Sequence, residues 1–251
     1  MILASVPLAL AIAFASLLSS PAERFIRASD LYRGGEFAAA AETLESLRAE
    51  GYESGPLFYN LGNAEYRQGR LGRAIAAYRR AADFMPREAD LDFNLRIVRA
   101  RRADAAADSS AATFLRSLLF PHTLLTIGEE IGLALGFWFA GLALCHVALF
   151  VRHAAVRRAG FALVAFALLT AASVAWRAHD RAATPPGVVV AAETSVRTGP
   201  GEEYPVYFTL HDGYELEILE RDGGWTKVEV EGDKRGWLPD ADVVALPPLF
   251  G

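Results

Sequence analysis

The chain has one cysteine, Cys145, among 251 residues. A single thiol closes no internal disulfide, so any water-soluble part must hold together on packing alone. Histidine is also scarce. The five histidines are scattered, with no pair at the spacing that puts two imidazoles on one metal ion. No cysteine–histidine pair lies outside an apolar run, which removes the nucleophile that a wall-cleaving cysteine peptidase needs. No GxxxxGK stretch is present to cradle a phosphate. Adjacent carboxylates such as Glu202 and Glu203 stand in a turn-like context, open to solvent. The expectation is a protein that is not an enzyme, with no catalytic residue, no metal and no cofactor. Basic residues are outnumbered, 25 against 30 acidic, for a net charge of −5. A phosphate backbone demands a basic face, so nucleic acid is excluded as a partner.

What the sequence has instead is apolar length. Hydrophobic residues make up 53% of the chain, and the excess lies in three runs. The first, residues 1–22, ends in Ser20-x-Ala22, the small-residue pattern of a signal-peptidase site, although no Lys or Arg precedes it. It reads as a signal peptide or an uncleaved N-terminal anchor. The second, Ile131 to Val151, carries no charge and is long enough to cross about 30 Å of hydrocarbon; with its start it covers residues 127–152. Thr126 and Glu129 before it form a capping-box pattern. The third, Ala159 to Trp176, is also uncharged and belongs to a span at 159–178. Between the two spans lies a short connection, 153–158, with Arg152, Arg157 and Arg158 in and beside it. By the positive-inside rule this connection is cytoplasmic. Residues 23–126 and 179–251 then both face outward from an inner (cytoplasmic) membrane, on the periplasmic side, and the lipid bilayer is itself a partner.

Laid against itself, the stretch 23–103 repeats at an offset of 34 residues: Tyr32 with Tyr66, Arg33 with Arg67, Gly35 with Gly69, Ala40 with Ala74, Asn60 with Asn94. A period of this size marks stacked helical hairpins. Small residues Gly62, Ala74 and Ala81 would let antiparallel helices approach, while Phe58, Leu61 and Tyr78 would fill the space between pairs. Gly69 suits the positive φ of an inter-helix turn, and Pro86 stops the second helix. The unit from Phe58 to Pro86 resembles a tetratricopeptide repeat (TPR), with Glu65 standing where that family favours an aromatic. The first unit is degenerate, showing Arg27-Ala28 in place of the Leu-Gly pair. A third begins at Ala89, and Asp90–Arg102 would close the array as a terminal helix, with Arg99, Arg101 and Arg102 turned outward.

The TPR resemblance implies a partner groove lined by the first helices of each unit: Tyr59, Asn60, Asn63, Tyr66, Arg67, Phe93, Asn94 and Ile97. Each of these positions is equally open to reading as solvated surface or inter-repeat packing. Replacing Asn63 and Arg67 together is expected to abolish protein capture with little loss of thermal stability. Residues 104–126 read as a linker, in which Phe114, Leu115, Leu118 and Leu119 share one face suited to lying on a membrane.

Beyond Thr184-Pro-Pro-Gly187 the pattern changes to short strands between glycine turns. Val188–Val190, Glu215–Leu219, Trp225–Val230 and Arg235–Leu238 are the expected strands, and Val196, Leu216, Ile218, Val228 and Leu238 the expected core of a five-strand barrel. Thr194-Ser-Val-Arg197-Thr-Gly-Pro200, Leu210-x-x-Gly213, Gly224-Trp225 and Gly236-Trp237-Leu238 resemble a bacterial SH3 (SH3b) domain over residues 187–248. That resemblance implies a ligand face with Tyr204, Tyr207, Trp225 and Trp237, and cell-wall peptide or glycan (peptidoglycan) as ligand. The two tryptophans serve as well to plug the barrel ends.

The architecture is thus multi-domain: all-α TPR hairpins, a two-helix transmembrane hairpin, and a small all-β SH3-like barrel. The order of signal segment, TPR, two spans and SH3b resembles the BatE-type component of aerotolerance operons. The resemblance implies a membrane-anchored scaffold in the bacterial cell envelope, with von Willebrand A-type envelope proteins as partners and a role in stress tolerance. A second function also stands, in which the barrel senses the wall and the array packs or relays.

Overall fold

A computed structural model describes residues 20–104, 125–151, 153–230 and 234–249. Five helices form the array: α1 (Pro21–Arg33), α2 (Phe37–Ala49), α3 (Gly55–Arg67), α4 (Leu71–Phe84) and α5 (Ala89–Ala100). Their ends follow from local chemistry. Ser20 caps α1, accepting from the Glu23 amide while Glu23 reaches back to the Ser20 amide, and Pro21 occupies the first turn. Ser54 caps α3 in the same way at 3.3 Å from the Leu57 amide. Gly35 and Gly69, one period apart, both hold positive φ, +84° and +78°, where the chain reverses between paired helices. Within the full repeat the ring of Tyr78 lies against Gly62, where a Cβ would stand 2.6 Å from it. Phe58, Leu61, Ala74, Ile75, Tyr78 and Ala81 are all buried there, as the spacing predicts.

Two long apolar helices follow, α6 (Ile127–Val151) and α7 (Ala154–Ala183), each long and apolar enough to cross a membrane. The capping box at Thr126 and Glu129 is formed. The helices pack as a hairpin through small residues: Gly160 lies under Cys145 and Gly141 under Val164, which lets the two backbones approach closely. Near one end the buried Glu130 meets Arg177 at 2.9 Å. Because α7 already begins at Ala154, Arg157 and Arg158 ride on its first turns, and the connection between the spans is shorter than the sequence suggests. The stretch with Phe114, Leu115, Leu118 and Leu119 lies outside the described residues.

The C-terminal unit is one antiparallel sheet of seven strands rather than five, in the order β3-β2-β6-β5-β4-β1-β7. The strands are β1 (Pro186–Val189), β2 (Glu193–Arg197), β3 (Val206–His211), β4 (Glu215–Asp222), β5 (Trp225–Val230), β6 (Lys234–Pro239) and β7 (Val243–Ala245). Beyond the four strands named from the sequence, β2 and β3 pair as a local hairpin with a bulge between Val196 and Arg197, and β7 returns across the domain to β1. Val196, Leu216, Ile218, Val228 and Leu238 are buried in its core, joined by Val189, Leu210 and Val243. Val188 and Leu246 leave that core and enter the core of the array instead. The barrel is therefore seated on the array.

Candidate functional site

The groove residues divide by what they touch. Tyr59 and Asn63 on α3 meet Asn94 on α5. The Asn94 amide donates to the Tyr59 hydroxyl at 3.0 Å and to Asn63 Oδ1 at 3.2 Å, and the same Asn63 oxygen accepts from Tyr78 at 2.6 Å. Burial pushes the Tyr78 phenol far above its ordinary pKa, so it remains a donor. This network ties α3, α4 and α5 together, and it overturns the expectation that Asn63 can be changed at little cost in stability. Tyr66 packs against the array core with the Arg101 guanidinium 5.0 Å from its ring centre. Arg67 is exposed and lies over the Phe37 ring at 4.2 Å. Asn60 and Ile97 are half-buried. Phe93 is 56% exposed and stands one turn from the exposed Arg96. The free part of the groove is thus a stripe of Asn60, Arg67, Phe93 and Arg96, over a floor fixed by the asparagine network.

Glu65, in the place of the family aromatic, is only 2% exposed. Burial pushes its carboxyl up, against the pull of Arg70 and Arg73. With Phe58, Leu61, Arg73, Arg80 and Leu246 it lines a cavity of about 290 Å³ between the array and the barrel's tail.

The arginines expected to face solvent at the end of the array do not all do so. Arg99 donates to Glu215 on β4 at 2.7 and 2.8 Å, Arg79 donates at 2.9 Å, and Arg102 lies 3.4 Å from the same carboxylate. Glu215 arrives from another domain and is an acceptor shared by all three. Burial alone would raise its carboxyl; the Arg99 hydrogen bonds and the charges of Arg79, Arg99 and Arg102 outweigh that and hold it below the usual range. Three residues earlier, Asp212 accepts from the amides of Leu71 and Gly72 at 2.8 Å each. Asp104 accepts from the His211 amide at 2.8 Å.

On the barrel, alternation along β5 and β6 turns Trp225, Lys227, Trp237 and Pro239 to the outer face. Trp237 pairs with Lys227 on one side and Arg197 on the other, with the Lys227 ammonium 5.5 Å from its ring centre. Arg197 also donates to the carbonyls of Glu202 and Tyr204, at 3.0 and 2.7 Å, and so fixes the turn that carries Tyr204. Tyr207, 55% exposed, continues the patch on β3. The four expected aromatics lie on β3, β5, β6 and the turn before β3, whereas the array meets the barrel at β1, β7 and the β3–β4 turn. Arg197 and Lys227 complete the face; nothing in their spacing marks them, since the pairing that brings them to Trp237 is long-range.

Residues 56–88 match the tetratricopeptide repeat family and residues 192–244 match the bacterial SH3 domain family. The chain carries a TPR unit and an SH3b domain. It is also 28% identical over 78 residues, 31% of its length, to a Bacillus subtilis (strain 168) protein named "Putative N-acetylmuramoyl-L-alanine amidase YrvJ". The matched stretch spans 15% of that protein's length, so the similarity is to one part of a much longer chain.

Both modules also touch the same end of the apolar hairpin. Arg87, after α4, holds Glu129 at the start of α6 at 2.6 and 3.1 Å. Arg181, near the end of α7, reaches Asp83 of α4 at 3.0 Å and the carbonyl of Pro247 in the barrel's tail at 3.2 Å. Among the described residues no group of three or more His, Cys, Asp or Glu is arranged to hold a metal ion.

Proposed function

We propose that this protein is a non-enzymatic, membrane-anchored scaffold of the bacterial cell envelope, with the array capturing a protein partner and the barrel braced beside it. The observation that carries this reading is the open stripe Asn60, Arg67, Phe93 and Arg96. With the barrel docked, Arg67, Phe93 and Arg96 are still exposed and Asn60 half-buried, so docking leaves these positions open. A partner segment for it carries an apolar anchor for Phe93 and carboxylates for the two guanidiniums. The similarity in module order to BatE-type proteins supports von Willebrand A-type envelope proteins as the partners, and a place in a stress- or aerotolerance-linked complex.

A second reading has its own observation. The outer face of the barrel, with Trp237 between two cations and Tyr204 and Tyr207 exposed, suits a sugar ring stacked on an aromatic and a carboxylate beside it. The partial similarity to a protein named as an amidase of the wall points the same way. Peptidoglycan binding through this face is compatible with partner capture by the array. A photo-crosslinking residue at Phe93 and, separately, at Trp237 in native membranes tests both. Discrete protein adducts from position 93 that vanish with Arg67→Glu support the scaffold. Adducts that arise at position 237 alone and pellet with the wall would replace it by the sensor.

A further inference from the structure

The turn from β3 to β4, Asp212-Gly213-Tyr214-Glu215, meets the array with two carboxylates three residues apart, and each has its own receptacle. Asp212 sits on the amides of Leu71 and Gly72 at the start of α4. The residue before α4, Arg70, offers no side-chain cap, so these amides are satisfied from the barrel alone among the described residues. Glu215 sits among Arg79, Arg99 and Arg102. All the donors belong to the array: α4 supplies two amides and one guanidinium, and α5 with the residues after it supplies the other two. The surface is also shaped for the turn. Gly213 holds φ +90°, and a Cβ there would stand 3.1 Å from both Ile75 and Arg102. At Gly72 a Cβ would overlap the carbonyl of Val189.

Without the barrel, the three guanidiniums gathered at Glu215 would lose the carboxylate they share. Such a surface favours a new dianionic ligand strongly. The barrel keeps most of its core to itself, although Val188 and Leu246 bury in the array, and it enters through the two-residue connection Thr184-Pro185. That core lets it stay folded when the docking contacts are broken.

We propose that the array carries a second recognition surface, selective for an acidic turn with two carboxylates three residues apart, and that the SH3b barrel is its resident occupant, exchangeable for an acidic turn of a partner protein. This surface is distinct from the Phe93 groove and stands whether or not that groove binds.

The test uses the full chain in detergent micelles with Asp212→Asn and Glu215→Gln together. The probe is a backbone-cyclised, labelled peptide with the sequence of residues 209–218, compared with a twin carrying the same two amide replacements. The double variant is expected to bind the acidic peptide at least about tenfold more tightly than the twin, and the unaltered chain to bind it far more weakly. The Leu71 and Gly72 amides should exchange faster in the variant and slow again when the acidic peptide is added. Arg99→Gln with Arg102→Gln, which leaves every barrel residue in place, should release the barrel and bind neither peptide. Equal binding of acidic and amide peptides overturns the proposal. So does acidic-peptide binding that survives loss of Arg99 and Arg102, or unchanged protection of the two amides. Concentration-dependent dimers with the amides still protected would make a second copy the occupant and overturn the assignment to a partner.

Discussion

At the scale of single residues, Asn63 shows how a plausible binding side chain becomes a structural one. Its oxygen accepts from Tyr78, which is buried, and from Asn94 on the neighbouring helix. Asn63→Ala leaves a buried phenol hydroxyl without its acceptor, which costs about 1–3 kcal/mol. We expect a lower melting temperature for Asn63→Ala in the full chain, with Arg67→Ala close to unaltered because Arg67 is exposed. Equal melting temperatures for the two variants would remove the network from the account. Gly62 and Gly72 make a related point. Both read as helical glycines, but Gly62 makes room for Tyr78 within a repeat, whereas Gly72 makes room for another domain's backbone.

At the scale of elements, the helices were legible and the docking was not, for one physical reason. A helical hairpin announces itself within one period: Gly35 and Gly69 recur at their turns, and Ala40 with Ala74, Leu44 with Tyr78 and Leu61 with Leu95 recur on the buried face. Core alternation in β4, β5 and β6 is equally local. The contacts of Glu215, by contrast, join residues more than a hundred positions apart. Each arginine taken alone reads as a solvated charge at a helix end. The strand β7 escaped for the same reason, since only β1 across the domain makes it a strand, whereas β2 and β3 form a local hairpin whose short alternation is broken by the bulge after Val196.

The docked elements also carry a pH dependence whose sign follows from the two carboxyls. Glu215 is held below the usual range in the folded state, so its contribution is fully present above its unfolded pKa and is lost as pH falls through the lowered folded value. Asp212 is pushed up by burial, against the Gly72 and Leu71 amides, so its contribution runs the other way and declines as pH rises from its unfolded to its raised folded value. Neutral pH therefore lies on the docked side for Glu215. Acidification below the ordinary carboxylate range should loosen the barrel, read as faster exchange of the α4 amides. Glu215→Gln should dock poorly at neutral pH and show a flatter acid limb. An acid limb of unchanged steepness in that variant would assign the loosening to other carboxyls.

At the scale of the whole molecule, the contacts at one end of the apolar hairpin bear on sidedness. The array reaches the start of α6 through Arg87 and Glu129, and the barrel's tail reaches the end of α7 through Arg181. Exposed ion pairs such as Arg87–Glu129 are screened by water and contribute little, so these links orient the modules more than they stabilise them. Their weight lies in geometry: Glu129 and Arg181 can both be met only if the array and the barrel share one side of the lipid. The basic cluster with Arg157 and Arg158 stands at the other end of the hairpin, which the proposed orientation, by the positive-inside rule, assigns to the cytoplasm. Protease added to intact spheroplasts should therefore cut both an exposed site in the array and the exposed turn at Asp222–Gly224 of the barrel, while inside-out vesicles protect both. The basic turn should show the reverse pattern to a membrane-impermeant label placed beside His153. If array and barrel become accessible in opposite preparations, the Arg87–Glu129 and Arg181–Asp83 contacts cannot coexist in the membrane, and the braced scaffold fails with them.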